Sequence, residues 1–271
     1  MIDVIKQQLK NSKTVQKKIN YLREFLQIMI LKNIYDQKYF NNIAFLGGTA
    51  LRILFDINRF SEDLDFSLIN KKGYDFNKIN DTIVKFFKQN NIAVETTPKT
   101  EKNVHSTFFK FPKILKDLNL SVFDNQKLSI KFEVDINPPK DWKTETMLIN
   151  KTYLLQITAF DLPSMFSTKL HACFFRKYTK GRDFYDLVWY LSKKIKPNIK
   201  LLNNTIYQTE NKKLNINENN YMDFIIEQIA TKNFKEIQKD VEKFLFDINE
   251  LNLLNKDFII SLCNNLKKQL L

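Results

Sequence analysis

The stretch from Phe45 to Phe66, FLGGTALRILFDINRFSEDLDF, constrains this chain more than any other. A short apolar run, Ile43 to Leu46, stops at two glycines and a threonine. Ala50 to Phe55 read as a short helix, followed by a turn, and Asp63-Leu64-Asp65 open a second apolar run. On a strand, alternate side chains share a face, so Asp63 and Asp65 point the same way, about 7 Å apart along the chain. Two ionised carboxylates that close repel each other, and a divalent cation removes the cost. Hard oxygen ligands at this spacing suit Mg²⁺, or Mn²⁺, carrying substrate phosphates.

Gly47 and Gly48 supply the complementary half. Without a Cβ, the backbone there can bring N–H groups close to a ligand. The helix that follows turns its positive end back on the glycines, which favours phosphate, and Thr49 adds a hydroxyl. A phosphate cradle followed by a carboxylate pair is what phosphoryl-type transfer needs. Arg59 and Ser61 precede the acids as candidate phosphate contacts, although Arg59 is equally placed to pair with Glu62.

Around this stretch, residues 3–37 read as an amphipathic helix with a stripe of Val15, Ile19, Leu22, Leu26, Met29 and Ile30. Asp75 to Asn90 read as a second helix. Ile92 to Thr97, His105 to Phe111 and Leu128 to Asn137 read as strands, the last alternating Ile130, Phe132, Val134 and Ile136 with Lys131, Glu133 and Asp135. Those two acids are either solvated or one of them is a further metal carboxylate. Asp161-Leu162-Pro163-Ser164 starts a helix carrying Lys169 to Arg176. Gly181 ends it, and Arg182-Asp183 open the next, where Asp183 is either a helix cap or a site residue. Residues 203–219, rich in Asn and Lys, read as a loop among C-terminal helices. His105 reads as a strand residue without chemistry, and His171 beside Cys173 lacks the partner pair that a zinc site needs.

The net charge is +13, and its distribution is uneven. Residues 1–193 hold 31 basic and 20 acidic residues, whereas residues 194–271 hold 12 lysines against 10 acids. The excess therefore lies on the part with the motifs and would draw a nucleotide or a nucleic acid. In a chain this rich in lysine, four of the five arginines, Arg52, Arg59, Arg176 and Arg182, lie in or beside motifs. Arginine there suggests a use for its planar fork. No apolar stretch reaches membrane-spanning length and the N-terminus lacks a signal-peptide core. Cys173 and Cys263 form no metal spacing, so a reducing cytoplasm and no membrane partner are expected.

The spacing GG-T followed by D-x-D resembles the signature of the polymerase-β-like nucleotidyltransferases. The wording GGTALR…RFSEDLDFSL is closer to the AbiEii/AbiGii nucleotidyltransferase toxins of type IV toxin–antitoxin and abortive-infection systems. FEVDINPP, STKLHA and GRDFYDL also resemble segments of that family, so the likeness runs from about Ile43 to Leu191. It implies an α/β (α+β) nucleotidyltransferase core with a small mixed sheet over residues 1–160 and a C-terminal helical domain over 161–271. It implies Mg²⁺ held by Asp63, Asp65 and either Glu133 or Asp135, with a nucleoside triphosphate as substrate. It places Lys169 on the triphosphate or the transition-state charge, and Asp183, ahead of Asp186, as the residue that orients Lys169 or helps activate the acceptor. Arg176 and Arg182 are candidate phosphate contacts. It further implies a growth-arresting toxin with a cognate antitoxin. The acceptor is expected to be RNA, in particular the 3′ end of tRNA. The alternatives are a protein side chain, the chain's own included, and a nucleotide- or RNA-binding module without turnover.

Overall fold

The computed structural model describes residues 5–7, 9, 14–123 and 125–270. The chain divides into two compact units, one formed by Met1–Asp56, Phe60–Pro138 and Glu145–Ala159, the other by Ile57–Arg59, Pro139–Thr144 and Phe160–Leu271.

The first unit is built on a mixed sheet whose seven strands lie in the order β3-β4-β5-β2-β1-β7-β6. They are β1 (Ile43–Leu46), β2 (Leu64–Leu68), β3 (Lys99–Thr100), β4 (Val104–Phe111), β5 (Leu128–Asp135), β6 (Thr144–Asn150) and β7 (Leu154–Phe160). β2 is antiparallel to β1 and parallel to β5, and β5 is antiparallel to β4. β5 shows why one face becomes core. Leu128, Ile130, Phe132 and Val134 are buried, while the residues between them are half-exposed. Phe45, Phe66, Phe132 and Phe109 line up across β1, β2, β5 and β4 with successive ring centroids 5.1, 5.0 and 6.0 Å apart. Each such ring stabilises the unit by about 1.5–3 kcal/mol through burial. The opposite face is thereby left to Asp65, Ser67, Lys131, Glu133 and Asp135.

Helix α1 (Val15–Asp36) packs on β5 and on α3 (Phe76–Gln89). Thr14 caps α1 by accepting from the Lys17 N–H at 3.3 Å, and Asp75 caps α3. Of the expected helical stretch 3–37, residues 1–4, 8 and 10–13 lie outside the described residues. Leu22, Leu26, Met29 and Ile30 are buried as expected, but Val15 is exposed. Helix α2 (Gly47–Phe55) begins at the glycines themselves, three residues earlier than their sequence suggests. A single helical turn, α4 (Ile114–Asp117), precedes β5.

Two expectations are corrected. Residues 92–97 form no strand, since Glu95 alone bridges to Lys110, and Ile92 and Val94 are buried without pairing. Residues 203–219 are not one loop, because 203–210 belong to a helix. Their asparagines mislead because the amides serve tertiary contacts: Asn203 donates to the Ile216 carbonyl at 2.8 Å and Asn204 to the Asp141 carboxylate at 2.6 Å.

The second unit is helical: α5 (Leu162–Phe175), α6 (Gly181–Ser192), α7 (Ile199–Glu210), α8 (Tyr221–Ala230), α9 (Phe234–Val241) and α10 (Lys256–Leu270). α5 packs against α6 and α7, and α6 against α9 and α10. Asp161 caps α5 through the Ser164 N–H at 2.9 Å, with Pro163 in the first turn. Gly181 is dictated by packing. A Cβ there would come within 2.1 Å of the Ile237 carbonyl oxygen and 2.9 Å of the Val241 nitrogen, so α6 and α9 can touch only at a glycine.

Candidate active site

In the first unit, the β2–β5 register sets Asp65 directly opposite Glu133 and Ser67 opposite Asp135. Partners on adjacent strands share a face about 4.8 Å apart, so the Asp65 and Glu133 carboxylates are neighbours. Asp135 is two pairs further along, the next on that face. Its carboxylate accepts from the backbone N–H of Asn137 at 2.9 Å. Burial, only partly offset by that bond, holds its pKa above the usual carboxylate range.

Gly47 lies against Asp65. Its φ is +82°, and a Cβ on it would fall 2.6 Å from Asp65 Oδ2. The glycine is therefore required twice, by its left-handed backbone and by the carboxylate lying on its Cα. Gly48 follows in the first turn of α2, whose N-terminus has no side-chain cap. Thr49, expected at a phosphate, is fully buried, and its hydroxyl donates to the Asp63 carbonyl. From the other side Gln27, also buried, donates to the carbonyls of Ser61 and Glu62 at 3.2 and 2.9 Å. Three consecutive carbonyls leading into the acid pair are thus pinned by α1 and α2. Those helices are tied in turn by Arg52, which donates from Nε to Glu24 at 2.7 Å. Gln27 carries no sequence signal, because its partners are backbone atoms far along the chain.

Lys131 is paired with one of these acids. Its ammonium sits 2.7 Å from Glu133 Oε1, both side chains about one-third exposed. Burial would lower its pKa, but the bond to Glu133 and the charges of Glu133, Asp63 and Asp65 outweigh that and raise it. Carboxylate oxygens are of the hard donor class that Mg²⁺ or Mn²⁺ takes. Among the described residues, no three His, Cys, Asp or Glu side chains are grouped so that they could hold a metal ion as they stand.

The second unit holds a buried charge network. Lys169 donates to Asp183 Oδ1 at 2.7 Å and lies 2.8 Å from Asp186 Oδ2. Arg176 reaches Asp183 Oδ2 at 2.8 Å. Arg59 grips Asp186 with two bonds of 2.6 Å, its side chain 1% and that of Asp186 0% exposed. Burial alone would lower the Lys169 pKa, but Asp183 and Asp186 hold it well above the ordinary lysine value. Burial likewise works against the Asp183 carboxylate, yet Lys169 and Arg176 keep its pKa below the usual range. Asp183 is not the helix cap: it lies in the first turn behind Lys180, with its carboxylate taken up by Lys169 and Arg176. Arg59, expected at a phosphate or at Glu62, is locked on Asp186, a residue ranked behind Asp183 from sequence. The Arg182 guanidinium lies 4.1 Å from the Phe244 ring centroid. His105 meets the Tyr74 hydroxyl at 3.1 Å, and the Cys173 thiol donates to the Asp183 carbonyl at 3.3 Å, buried and with its pKa pushed up.

A family model described as "Nucleotidyl transferase AbiEii toxin, Type IV TA system" matches residues 30–258. The chain belongs to the AbiEii family. It is therefore a nucleotidyltransferase of the kind found in type IV toxin–antitoxin systems, which implies a nucleoside triphosphate substrate and an antitoxin. The AbiEii match spans both units and every expected site residue. Among solved structures the chain resembles JHP933 from Helicobacter pylori at 19% identity and TM-score 0.57, covering 92% of this chain and 94% of that one. A second H. pylori protein, provisionally named a nucleotidyltransferase, matches with TM-score 0.56 at the same identity and coverage. At that identity the likeness speaks for the fold. No curated protein matches the chain. No described helix is long and apolar enough to cross a membrane.

Proposed function

We propose that the protein transfers a nucleoside monophosphate from a nucleoside triphosphate to RNA, with the 3′ end of tRNA as acceptor, in the cytoplasm. What supports the reading is the in-register apposition of Asp65 and Glu133, with Asp63 beside them and Gly47 against Asp65. Asp63, Asp65 and Glu133 would hold Mg²⁺ or Mn²⁺, and Glu133 rather than Asp135 is the third carboxylate. Bound there, the ion would lower the pKa of the acceptor hydroxyl and offset charge on the departing phosphates. The first-turn N–H groups of α2 at Gly47 and Gly48 receive the triphosphate oxygens. The acceptor oxygen bonds to the α-phosphorus as the bond to the β-phosphate breaks, and pyrophosphate leaves.

Gln27 and Thr49 act on this chemistry indirectly, by fixing the backbone of Ser61 to Asp63. In the second unit we assign Lys169, held by Asp183 and Asp186, to the same reaction on the strength of the family resemblance. Its ammonium stabilises phosphate charge. Arg176 and Arg182, both partly engaged within their unit, are candidates for further phosphate contacts. The RNA acceptor is favoured by the basic excess on residues 1–193.

The test is incubation with each α-labelled triphosphate, Mg²⁺ and total RNA. Label on tRNA-sized RNA is expected. Label on protein alone points to a protein acceptor, and label on neither removes the reading of RNA as acceptor.

A further inference from the structure

The acid cluster carries its own counter-ion. Lys131 and Glu133 are two residues apart on β5, so their side chains leave the same face, and the ammonium closes on Glu133 at 2.7 Å. The charges of Asp63 and Asp65 reach that same ammonium. Across the ladder the register partner of Lys131 is Phe108, 43% exposed, with its ring centroid 5.9 Å from the Lys131 nitrogen. The lysine thus stands between two environments: carboxylates on one side, an open aromatic face on the other.

We propose that Lys131 is an internal cation that occupies the metal-free acid cluster and that Glu133 releases when a divalent ion enters. This rests on the reading of Asp63, Asp65 and Glu133 as ion ligands. The Glu133 lone pairs given to the ammonium are not available to a metal, and two cations on one carboxylate repel each other, so each weakens the binding of the other. The released ammonium stays over the Phe108 ring, where an aromatic face attracts a cation, and a polyphosphate brings it a new anionic partner. Metal alone therefore binds against the lysine, whereas metal with triphosphate does not. The device couples the two ligands and keeps three acids from repelling one another in the resting protein.

The test is Mn²⁺ binding to the full chain without nucleotide, followed by the loss of the free-ion electron paramagnetic resonance signal. Wild type, Lys131→Met, Lys131→Gln and Asp65→Asn are compared, with melting temperatures in EDTA and in Mn²⁺. Removing a competing unit charge at this range is expected to tighten Mn²⁺ about tenfold in both Lys131 variants. Both are expected to melt below wild type in EDTA and to regain the difference in Mn²⁺. The gain from adding triphosphate shrinks in both. Lys131 variants that bind Mn²⁺ no tighter than wild type, while Asp65→Asn loses binding, overturn the counter-ion role and leave the ion site standing. Binding that is absent, or unchanged by Asp65→Asn, overturns the ion site itself.

Discussion

Glu133 faces Asp65 across the β2–β5 ladder, while Asp135 faces Ser67. The two acids of one strand therefore lie in different electrostatic environments. The first is bonded to Lys131 in the field of Asp63 and Asp65. The second is held above the usual carboxylate pKa by burial.

That difference gives Asp135 a sign opposite to an ion-paired carboxylate. A raised folded-state pKa favours the fold below the unfolded value, and the advantage is lost as pH rises through the folded value. Asp135→Asn, whose Oδ1 can still accept from Asn137, is expected to match or exceed wild-type stability at pH 7 and to retain Mn²⁺ binding. Urea midpoints and a Mn²⁺ titration check both.

Gly47→Ala places a methyl 2.6 Å from Asp65 Oδ2 on a backbone with φ +82°. The expected cost is about 1–3 kcal/mol, together with weakened Mn²⁺ binding as Asp65 is pushed aside. A variant with wild-type urea midpoint and wild-type Mn²⁺ affinity contradicts the role given to this glycine.

The Arg59–Asp186 pair is bidentate and buried. Asp186→Asn, which keeps the shape but removes the charge facing Arg59 and Lys169, is expected to cost about 3–5 kcal/mol. Arg59→Lys does not repair the pair, because an ammonium cannot reproduce the two parallel bonds. Equilibrium denaturation of the two variants measures this directly.

The Lys169–Asp183 contact fixes a pH window. Asp183 is depressed, so its contribution is present above the unfolded carboxylate pKa and lost as pH falls through its lower folded value. Lys169 is raised, so its contribution is present below the unfolded lysine pKa and lost as pH rises through its higher folded value. The stability difference between wild type and Asp183→Asn is therefore expected to stay level from about pH 5 to 9 and to shrink in stronger acid. Urea midpoints across that range test it.

How much of this was legible in the sequence follows from how local each feature is. The turn at Gly47-Gly48 and the strand after Asp63 could be read because they are written within a few residues, whereas the helix starts three residues before its apolar pattern. The proposed choice of Glu133 over Asp135 depends on the pairing of β5 with β2, a long-range quantity that alternation within β5 leaves open. Gln27, Thr49 and Asp186 take partners far along the chain, so their roles have no local pattern. β6 and β7 were missed because Leu148 and Leu154 are 70% and 61% exposed, which blurs the alternation. Gly181 was read as a helix break, whereas its reason is the backbone of α9.

The most direct measurement of the central claim is the rate at which α-label from a nucleoside triphosphate enters RNA in Mg²⁺, compared among wild type, Asp65→Asn and Glu133→Gln, each shown by thermal unfolding to be folded. The account predicts a loss of at least about a hundredfold in both variants. Transfer at the wild-type rate by folded Asp65→Asn would contradict it.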